Sequence, residues 1–443
     1  MIDRPFKVDQ GTPASGEAGS HPGRLPQSRS TPSERFLLST AIIVLPLQNY
    51  FPTVAGMSIM FLIFAVFAAY IIVNRPRSFG EIWYYPIFVA AYAFIGVSAL
   101  LEFSSPFSSY EDILRFGEMV GGAVCVAVLC RDRSALAAGL YSYIAAALWV
   151  AVVLYLTSYG ALHGVQADDF EQASKARAHT FGDRLMAANI NALAFVCGQG
   201  AVVAFAMSLS SSSKHRRTLL LGVATFCLVA SFLTMSRSVV VMSLVTFTVI
   251  FYAYGLRHAK TLIIVAILGL GIYTLVPDAV WSRMSYSTEI REGTKQEARA
   301  WLYTTALNRL PEYIVAGVGA GNFFGKWGAE KGFLKAGRSV VYHVHNSLLQ
   351  VTINWGVLGL LMFLWIIWCV YRSIPLQCGR DELSLALLGI IVSLGPFLLV
   401  SHAYYDKPFA LGIGILVGAR QWIWPGGIVL AIKPVDARKE AVR

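Results

Sequence analysis

Cationic and imidazole side chains concentrate in one polar segment of a chain that is otherwise rich in apolar residues. Arg291, Lys295 and Arg299 recur at every fourth position, a spacing that places them on one face of a helix. His343 and His345 follow in the same segment, and an imidazole can exchange a proton near neutral pH. Arginine binds phosphate oxygens through two parallel hydrogen bonds, which lysine cannot do. These residues indicate a site for an anionic ligand, such as a diphosphate or a phospholipid headgroup, with an acid–base group close to it.

The polar segment that carries these residues spans 278–345 and contains more basic than acidic side chains. Loops longer than about 60 residues are exempt from the charge bias that orients membrane proteins, so the basic character needs another explanation. An anionic ligand is one explanation. An ordinary solvated loop is the other, because Glu292 and Glu297 lie among the cations.

Two further features lie in or near this segment. Arg237 occupies a short turn between two apolar runs, and an arginine at membrane depth is a functional candidate by default. Snorkelling of its side chain to the interface is the other interpretation. The glycines of the GVGAG run, which starts at Gly317, could cradle a phosphate, but no strand–helix context supports a nucleotide fold. We therefore predict a tight, close-packed turn there.

A metal site is not expected from the sequence. The two histidines could bind a metal, but no third ligand is placed near them, and no Cys-x-x-Cys pair occurs in the chain.

The whole chain has the composition of a membrane protein. Of its 443 residues, 56% are hydrophobic and only 14% are charged, whereas soluble globular proteins have about 25% charged residues. Apolar runs of about 20 residues recur, each long enough to cross the hydrocarbon core of a bilayer. The net charge of +11 does not indicate nucleic-acid binding, because the cations lie mainly between the apolar runs. The sequence therefore predicts an all-α, polytopic membrane protein.

The apolar runs predict about twelve membrane spans, with a large outer loop between the ninth and the tenth. The basic residues of the short loops all fall on one side, which the positive-inside rule assigns to the cytoplasm together with both termini. Residues 1–35 are rich in Pro, Gly and Ser and predict a disordered cytoplasmic tail, 36–430 form the membrane domain, and 431–443 form a second cytoplasmic tail. The predicted spans are 36–54, 57–74, 82–101, 113–130, 136–158, 187–208, 217–235, 238–255, 260–277, 346–371, 382–403 and 408–424.

The motif at the end of the polar segment resembles one known family. His345-Asn346 is followed, after nine residues, by Gly356-Val357-Leu358-Gly359. This arrangement resembles the pattern that closes the large outer loop in the superfamily of O-antigen ligases and O-antigen polymerases.

Other stretches resemble further motifs of the same family: Arg299-x-Trp301 with ALNRLPEYIVAGVGAGNF after it, the Ser-Arg-Ser turn around Arg237, and Asn191-Ala-Leu-Ala. The family usually has a proline before that asparagine, where this chain has Ile190. The resemblance covers roughly residues 170–375.

The resemblance implies a GT-C-like membrane fold and a metal-independent glycosyltransferase without a cofactor. In this family the donor is a glycan carried on undecaprenyl diphosphate at the periplasmic face of the bacterial inner membrane. The acceptor is a growing polysaccharide, lipid A-core or, in some members, a protein. A direct displacement of the diphosphate should invert the anomeric centre.

The resemblance also assigns roles to residues. Family arginines that match Arg237 and Arg299 are thought to hold the diphosphate, and the histidine that matches His345 is thought to act at the acceptor, so we expect these three to be catalytic. The expected substrate-binding residues are Arg291, Lys295, His343 and Asn346.

Three alternatives remain open from the sequence. The shared motif does not separate a ligase that uses lipid A-core from a polymerase. A transporter or flippase of lipid-linked glycans is a second reading, since twelve spans suit many transporters; those usually carry ionisable groups at mid-membrane and repeated halves with broken helices. A scaffold without activity is the third, and it would not need the arginine and histidine cluster.

Overall fold

The computed structural model describes 29–44, 59–75, 86–103, 110–162, 190–254, 298–319, 344–372, 381–400 and 406–420, together with Thr180 and isolated positions between 269 and 281. Helices and the turns between them make up these ranges, and no strand occurs in them. The helices are α1 (Pro32–Val44), α2 (Ile59–Asn74), α3 (Pro86–Phe103), α4 (Tyr110–Leu129), α5 (Arg133–Leu162), α6 (Ile190–Leu209), α7 (Lys214–Leu233), α8 (Arg237–Tyr254), α9 (Ala298–Asn308), α10 (Leu310–Tyr313), α11 (Ser347–Arg372), α12 (Glu382–Val400) and α13 (Lys407–Gly418).

Most of these helices have the composition of membrane spans. In hydrocarbon every backbone N–H and C=O must bond within its own segment, which an α-helix achieves. Among the described residues, five stretches are long and apolar enough to cross a membrane: Arg133–Ser158, Ile190–Leu209, Lys214–Leu233, Ser347–Tyr371 and Glu382–Leu399. Shorter apolar helices are Phe61–Asn74, Pro86–Leu100, Phe116–Leu129, Arg237–Ala253 and Pro408–Gly418.

The predicted class, an all-helical membrane protein, is confirmed over the described residues. The count of twelve spans and the loop between the ninth and the tenth stay predictions, because 260–277 and most of 278–345 lie outside the described ranges.

Helix α6 lies at the centre of one group of helices. Most of its residues are buried, and it packs against α5, α7, α8 and α12. A Cβ at Gly200 would lie 2.1 Å from the Cβ of Ala147 in α5, so the two helices approach more closely than larger residues would allow. Gln199 donates through Nε2 to Oγ of Ser393 in α12 at 2.6 Å. The apolar surface of a span contacts lipid as favourably as it contacts another helix. Small residues and a buried hydrogen bond therefore hold these spans together.

A second group consists of α3, α4, α11 and α13. A Cβ at Gly414 would lie 2.7 Å from the carbonyl oxygen of Ala123, so α13 packs directly on the backbone of α4. The rings of Phe94 in α3 and Trp355 in α11 meet edge to face, with their centroids 4.7 Å apart. This group positions the start of α11 relative to the rest of the bundle.

The two ends of the bundle are distinguished by their ion pairs. At one end, called the basic end below, Arg133 pairs with Asp381 at 2.6 Å and Arg216 pairs with Glu382. These pairs join the starts of α5, α7 and α12. Helix α7 runs away from the basic end, and α8 begins at Arg237 after a short turn. Arg237 therefore lies at the opposite end, called the site end below.

Helices α11 and α13 also begin at the site end. Helix α11 ends at Arg372, shortly before the start of α12 at the basic end, and α12 ends at Val400, shortly before the start of α13. The stacked rings of Phe195 in α6 and Phe397 in α12, 3.8 Å apart, agree with this course, because both residues lie toward the site end of their helices.

The predicted boundary of the N-terminal tail requires a correction. Helix α1 begins at Pro32, so residues 32–35, assigned to the disordered tail 1–35 from composition, are helical. Buried contacts hold this start: Glu34 Oε1 accepts from Arg75 Nε at 2.8 Å, and the N–H of Ser30 donates to Asp132 Oδ2 at 2.6 Å. Composition alone could not show these partners, which lie far along the chain. Residues 1–28 are outside the described ranges.

Candidate active site at the start of helix α11

Helix α11 carries the His-Asn motif at its start and is broken at Gly356. This glycine has φ 67° and ψ −163°, a conformation that residues with a Cβ do not adopt without strain. Just past it, the N–H of Val357 donates to the carbonyl of Ile314 at 2.6 Å rather than along the helix. The break separates a short first half, next to the motif, from a longer second half that continues to Arg372.

The turn 314–319 packs against this break. Gly317 has φ 75°, and a Cβ added there would lie 2.2 Å from the carbonyl oxygen of Asn354. A Cβ at Gly356 would in turn lie 2.3 Å from the carbonyl oxygen of Val315. Gly317 of the GVGAG run and Gly356 of the closing Gly-x-x-Gly motif are therefore required by one backbone-to-backbone contact. The predicted close-packed turn is confirmed over 317–319, the part of the run that the structure describes.

His345 has an unusual backbone just before α11 begins. Its φ is 55°, in the left-handed region that non-glycine residues rarely adopt. Flanking hydrogen bonds hold this conformation: the N–H of Val344 donates to Oε1 of Gln350 at 2.8 Å, and Tyr303 Oη donates to the carbonyl of His345 at 3.3 Å. His345 is half-buried. Strain of this kind occurs preferentially at functional sites.

Asn346 caps helix α11. Its Oδ1 accepts from the N–H of Leu349 at 3.0 Å, which is the hydrogen bond of a helix N-cap. The cap explains why an asparagine follows the histidine and why α11 starts there. Contact between Asn346 and a substrate stays a prediction.

Helix α9 brings Arg299 to the same region. Its apolar face packs on the first half of α11 in a small core, and Tyr303 of α9 makes the hydrogen bond to His345 described above. Arg299 precedes Tyr303 by one helical turn, so it lies on the helix that contacts the histidine segment. The core residues are Leu302, Ala306, Tyr313, Val318, Val344 and Ile353.

Three other predicted site residues, Arg291, Lys295 and His343, lie outside the described residues. Of the three residues of the predicted cationic stripe, the described part of the chain includes only Arg299, because α9 begins at Ala298.

Arg237 is the first residue of α8, also at the site end. It follows a turn in which Met235 has a positive φ of 56° and Ser236 is buried. Arg237 itself is half-buried, with its Nη2 atom buried. A guanidinium at a helix N-terminus adds to a region of positive potential that favours anions. The fold thus brings Arg237, His345 and the backbone of Arg299 to one end of the bundle.

Asp406 is a residue of this end that the sequence reasoning missed. It precedes α13, and its side chain does not cap the helix. The residue is partly exposed as a whole, but its Oδ2 atom is buried and has no hydrogen-bond partner in the part of the chain that the structure describes. Burial raises the pKa of Asp406 to about 7. A lone acid between two predicted spans was the signal available in the sequence.

An apolar cavity lies between α3, α4, α11 and α13. Its empty volume is about 440 Å³, including the space that opens to the surroundings. The ring of Phe363 in its wall lies 6.4 Å from that of Phe94, which contacts Trp355 beside the break. The cavity is lined by Ile87, Phe88, Ala91, Phe116, Met119, Val120, Ala123, Phe363, Ile366, Phe409, Ala410 and Ile413.

Comparison with known proteins identifies the segment that contains most of this site. The family model described as O-antigen ligase matches residues 221–364. Over this segment the chain is similar to the O-antigen ligase family. No sequence match is found among proteins with curated annotation.

The O-antigen ligase segment runs from within α7 to the second half of α11 and includes Arg237, Arg299 and His345. The resemblance stated from the motifs is thereby confirmed. The family points to glycan transfer in the synthesis of surface polysaccharide. Asp406 and most of the cavity wall lie outside the matched residues.

Proposed function

We propose that the protein is a glycosyltransferase of the bacterial inner membrane, with both termini in the cytoplasm. It moves a glycan from undecaprenyl diphosphate to an acceptor hydroxyl at the periplasmic face, as a ligase or polymerase of a surface polysaccharide. The observation that carries this proposal is His345, held in a left-handed conformation at the start of a broken helix inside an O-antigen ligase segment. Side chains held in such positions serve functional sites preferentially.

In the proposed reaction the acceptor oxygen attacks the anomeric carbon of the donor, and the bond from that carbon to the diphosphate oxygen breaks. His345 accepts the proton of the hydroxyl and later releases it to solvent, while undecaprenyl diphosphate leaves with the bonding electron pair. Arg237 and Arg299 stabilise the negative charge that develops on the leaving diphosphate. Because the reaction is a single direct displacement, it inverts the anomeric centre. The diphosphate is already an activated leaving group, so the step needs no metal ion and no nucleotide.

The remaining predicted residues have supporting roles in the proposal. The substrate is steered and bound by Arg291, Lys295, His343 and Asn346, whose positive and hydrogen-bonding groups suit phosphate and sugar oxygens.

The apolar cavity supports the lipid part of the donor in this proposal. Its walls are hydrocarbon, and it adjoins the second half of the helix that begins beside His345. A polyprenyl chain in it would hold the diphosphate at the site end. An Ala410→Trp change should fill the cavity and raise KM for the natural donor about tenfold, while a donor with a short prenyl chain keeps its KM. Equal KM changes for both donors would contradict this assignment.

The experiment that tests the function is the surface-glycan profile of a strain that lacks the protein, complemented with the wild type or with His345→Ala. Loss of long chains with single repeat units still on the acceptor identifies a polymerase. Long chains that form on the lipid carrier but never reach lipid A-core identify a ligase. A profile restored equally by His345→Ala would contradict the catalytic role of the histidine.

One observation favours the second candidate, a flippase of lipid-linked glycans. Helix α11 is broken at Gly356 and α12 contains Pro396, and discontinuous spans are common in transporters. Purified protein in vesicles separates the two activities, because a transferase converts donor and acceptor to product without any need for a sealed compartment.

A further inference from the structure

The backbone of His345 lies in the left-handed region, which residues with a Cβ rarely adopt. Such a conformation persists only where the surrounding structure over-determines it. The groups that bind the backbone on either side of His345 are therefore the groups that decide where its imidazole lies.

Gln350 is one of these groups, and its hydrogen bond to the backbone is buried. Its Oε1 accepts from the N–H of Val344 at 2.8 Å, and its Nε2 donates to Oδ1 of Asn354 at 2.9 Å. Val344 and Asn354 are 0% exposed and Gln350 is 2% exposed, so water does not compete for these bonds. One amide thus uses both its acceptor and its donor, which neither a carboxylate nor an apolar side chain can do.

Asn354 connects this amide to the break in α11. Its carbonyl accepts from the N–H of Gly319 at 3.0 Å and lies where a Cβ of Gly317 would be. Gln350 is therefore held by Asn354, which packs against the turn 314–319. Gln350 in turn holds the segment of Val344 and His345. Tyr303 adds a second hydrogen bond, at 3.3 Å, from α9.

We propose that Gln350 is a positioning residue: its buried amide fixes the backbone of Val344 and thereby the imidazole of His345 in the orientation that transfer requires. The inference rests on the proposed function, because Gln350 acts only through His345.

The test measures kcat and KM of the full-length protein in membranes, with lipid-linked glycan extracted from cells that lack this protein as the donor. Gln350→Met removes both hydrogen bonds at similar side-chain length. Its kcat should fall about 10²-fold, as misplacement of a catalytic group by about 1 Å does, with KM for the donor unchanged. Gln350→Glu keeps an acceptor for the N–H of Val344 and should recover part of the lost kcat.

Gln199→Met is the matched control, since it removes a buried glutamine that bonds to Ser393 in the centre of the bundle. Its kcat per folded molecule, counted by size-exclusion chromatography in detergent, should equal that of the wild type. If Gln350→Met does not accumulate in the membrane, Asn354→Ala tests the same network and should lower kcat in the same direction.

Equal kcat for Gln350→Met and Gln199→Met, or no recovery in Gln350→Glu, would overturn the positioning role while His345→Ala remains inactive. Full transfer by His345→Ala would instead overturn the proposed catalytic role, and the inference with it. The two failures are therefore distinguishable.

Discussion

Asp132 and Asp406 each lie in a connection between two helices, at opposite ends of the bundle, and their carboxyl groups have opposite surroundings. Burial raises the pKa of Asp132, but hydrogen bonds from Ser134, Ala135 and Ser30 outweigh it and hold that pKa well below its usual range. For Asp406 burial is the cause, and it raises the pKa to about 7. The first carboxyl group is stabilised as an anion, and the second is stabilised as a neutral acid.

The same contrast holds for the other charged residues. At the basic end Arg75, Arg133 and Arg216 each pair with a carboxylate, and the side chain of Glu34 is only 1% exposed. At the site end the backbone of His345 is strained and Oδ2 of Asp406 is buried without a partner among the described residues. Ion pairs at the basic end join helices, whereas the site end combines a strained histidine with a buried acid. Stability and activity should therefore respond differently to mutation at the two ends.

The largest effect is expected for Arg237→Ala at the site end. Loss of one donor that stabilises developing charge typically lowers the rate about 10²–10³-fold, and we expect this loss in the rate of glycan transfer. The same change at the basic end, Arg133→Ala, should leave transfer within about twofold, because an exposed ion pair contributes about 1 kcal/mol or less. A loss of transfer of the same size in both variants would break the distinction between the ends.

A smaller effect, on stability rather than on transfer, is expected for Glu34→Gln. The change leaves Arg75 without its anionic partner and weakens the start of α1, where Glu34 Oε2 also accepts from the N–H of Thr31. We expect a loss of about 1–3 kcal/mol in the free energy of unfolding. Thermal unfolding in detergent measures it, with the specific transfer activity of the folded fraction as the control. A fall in that specific activity would count against the assignment.

The smallest effect is expected in the pH dependence of Asp406→Asn. Because the pKa of Asp406 in the folded protein, about 7, lies above its ordinary value, the folded state binds the proton more tightly than the unfolded state does. Its contribution to stability is therefore present at low pH and is lost as pH rises through about 7.

The asparagine variant should lack this part of the pH dependence, which corresponds to a few degrees in melting temperature. Melting curves of both proteins at pH 5 and pH 8 test it. If the melting temperature changes equally between the two pH values in both proteins, Asp406 is already ionised at the lower pH.

The outcome for individual residues shows what sequence reasoning could reach. Apolar runs begin just after Arg237 and His345, so the sequence predicted that both residues lie at helix starts. It also predicted that both lie at the same end of the bundle and belong to the site. The sequence also predicted a close-packed turn at Gly317, but it did not predict that this turn packs against the break at Gly356. That contact joins backbone segments far apart in the chain, and glycine spacing alone does not contain it.

The sequence by itself determined the class of the protein, since hydrocarbon accepts only segments that satisfy their own backbone hydrogen bonds, and apolar runs of span length reveal them. It also determined the resemblance to the O-antigen ligase family, through motifs that each lie within a short stretch. Only the tertiary structure decided that Gln350 holds the segment of His345, that residues 32–35 are anchored, and that the carboxyl group of Asp406 is buried. Burial and hydrogen-bond partners come from residues distant in sequence, and a local pattern does not contain that information.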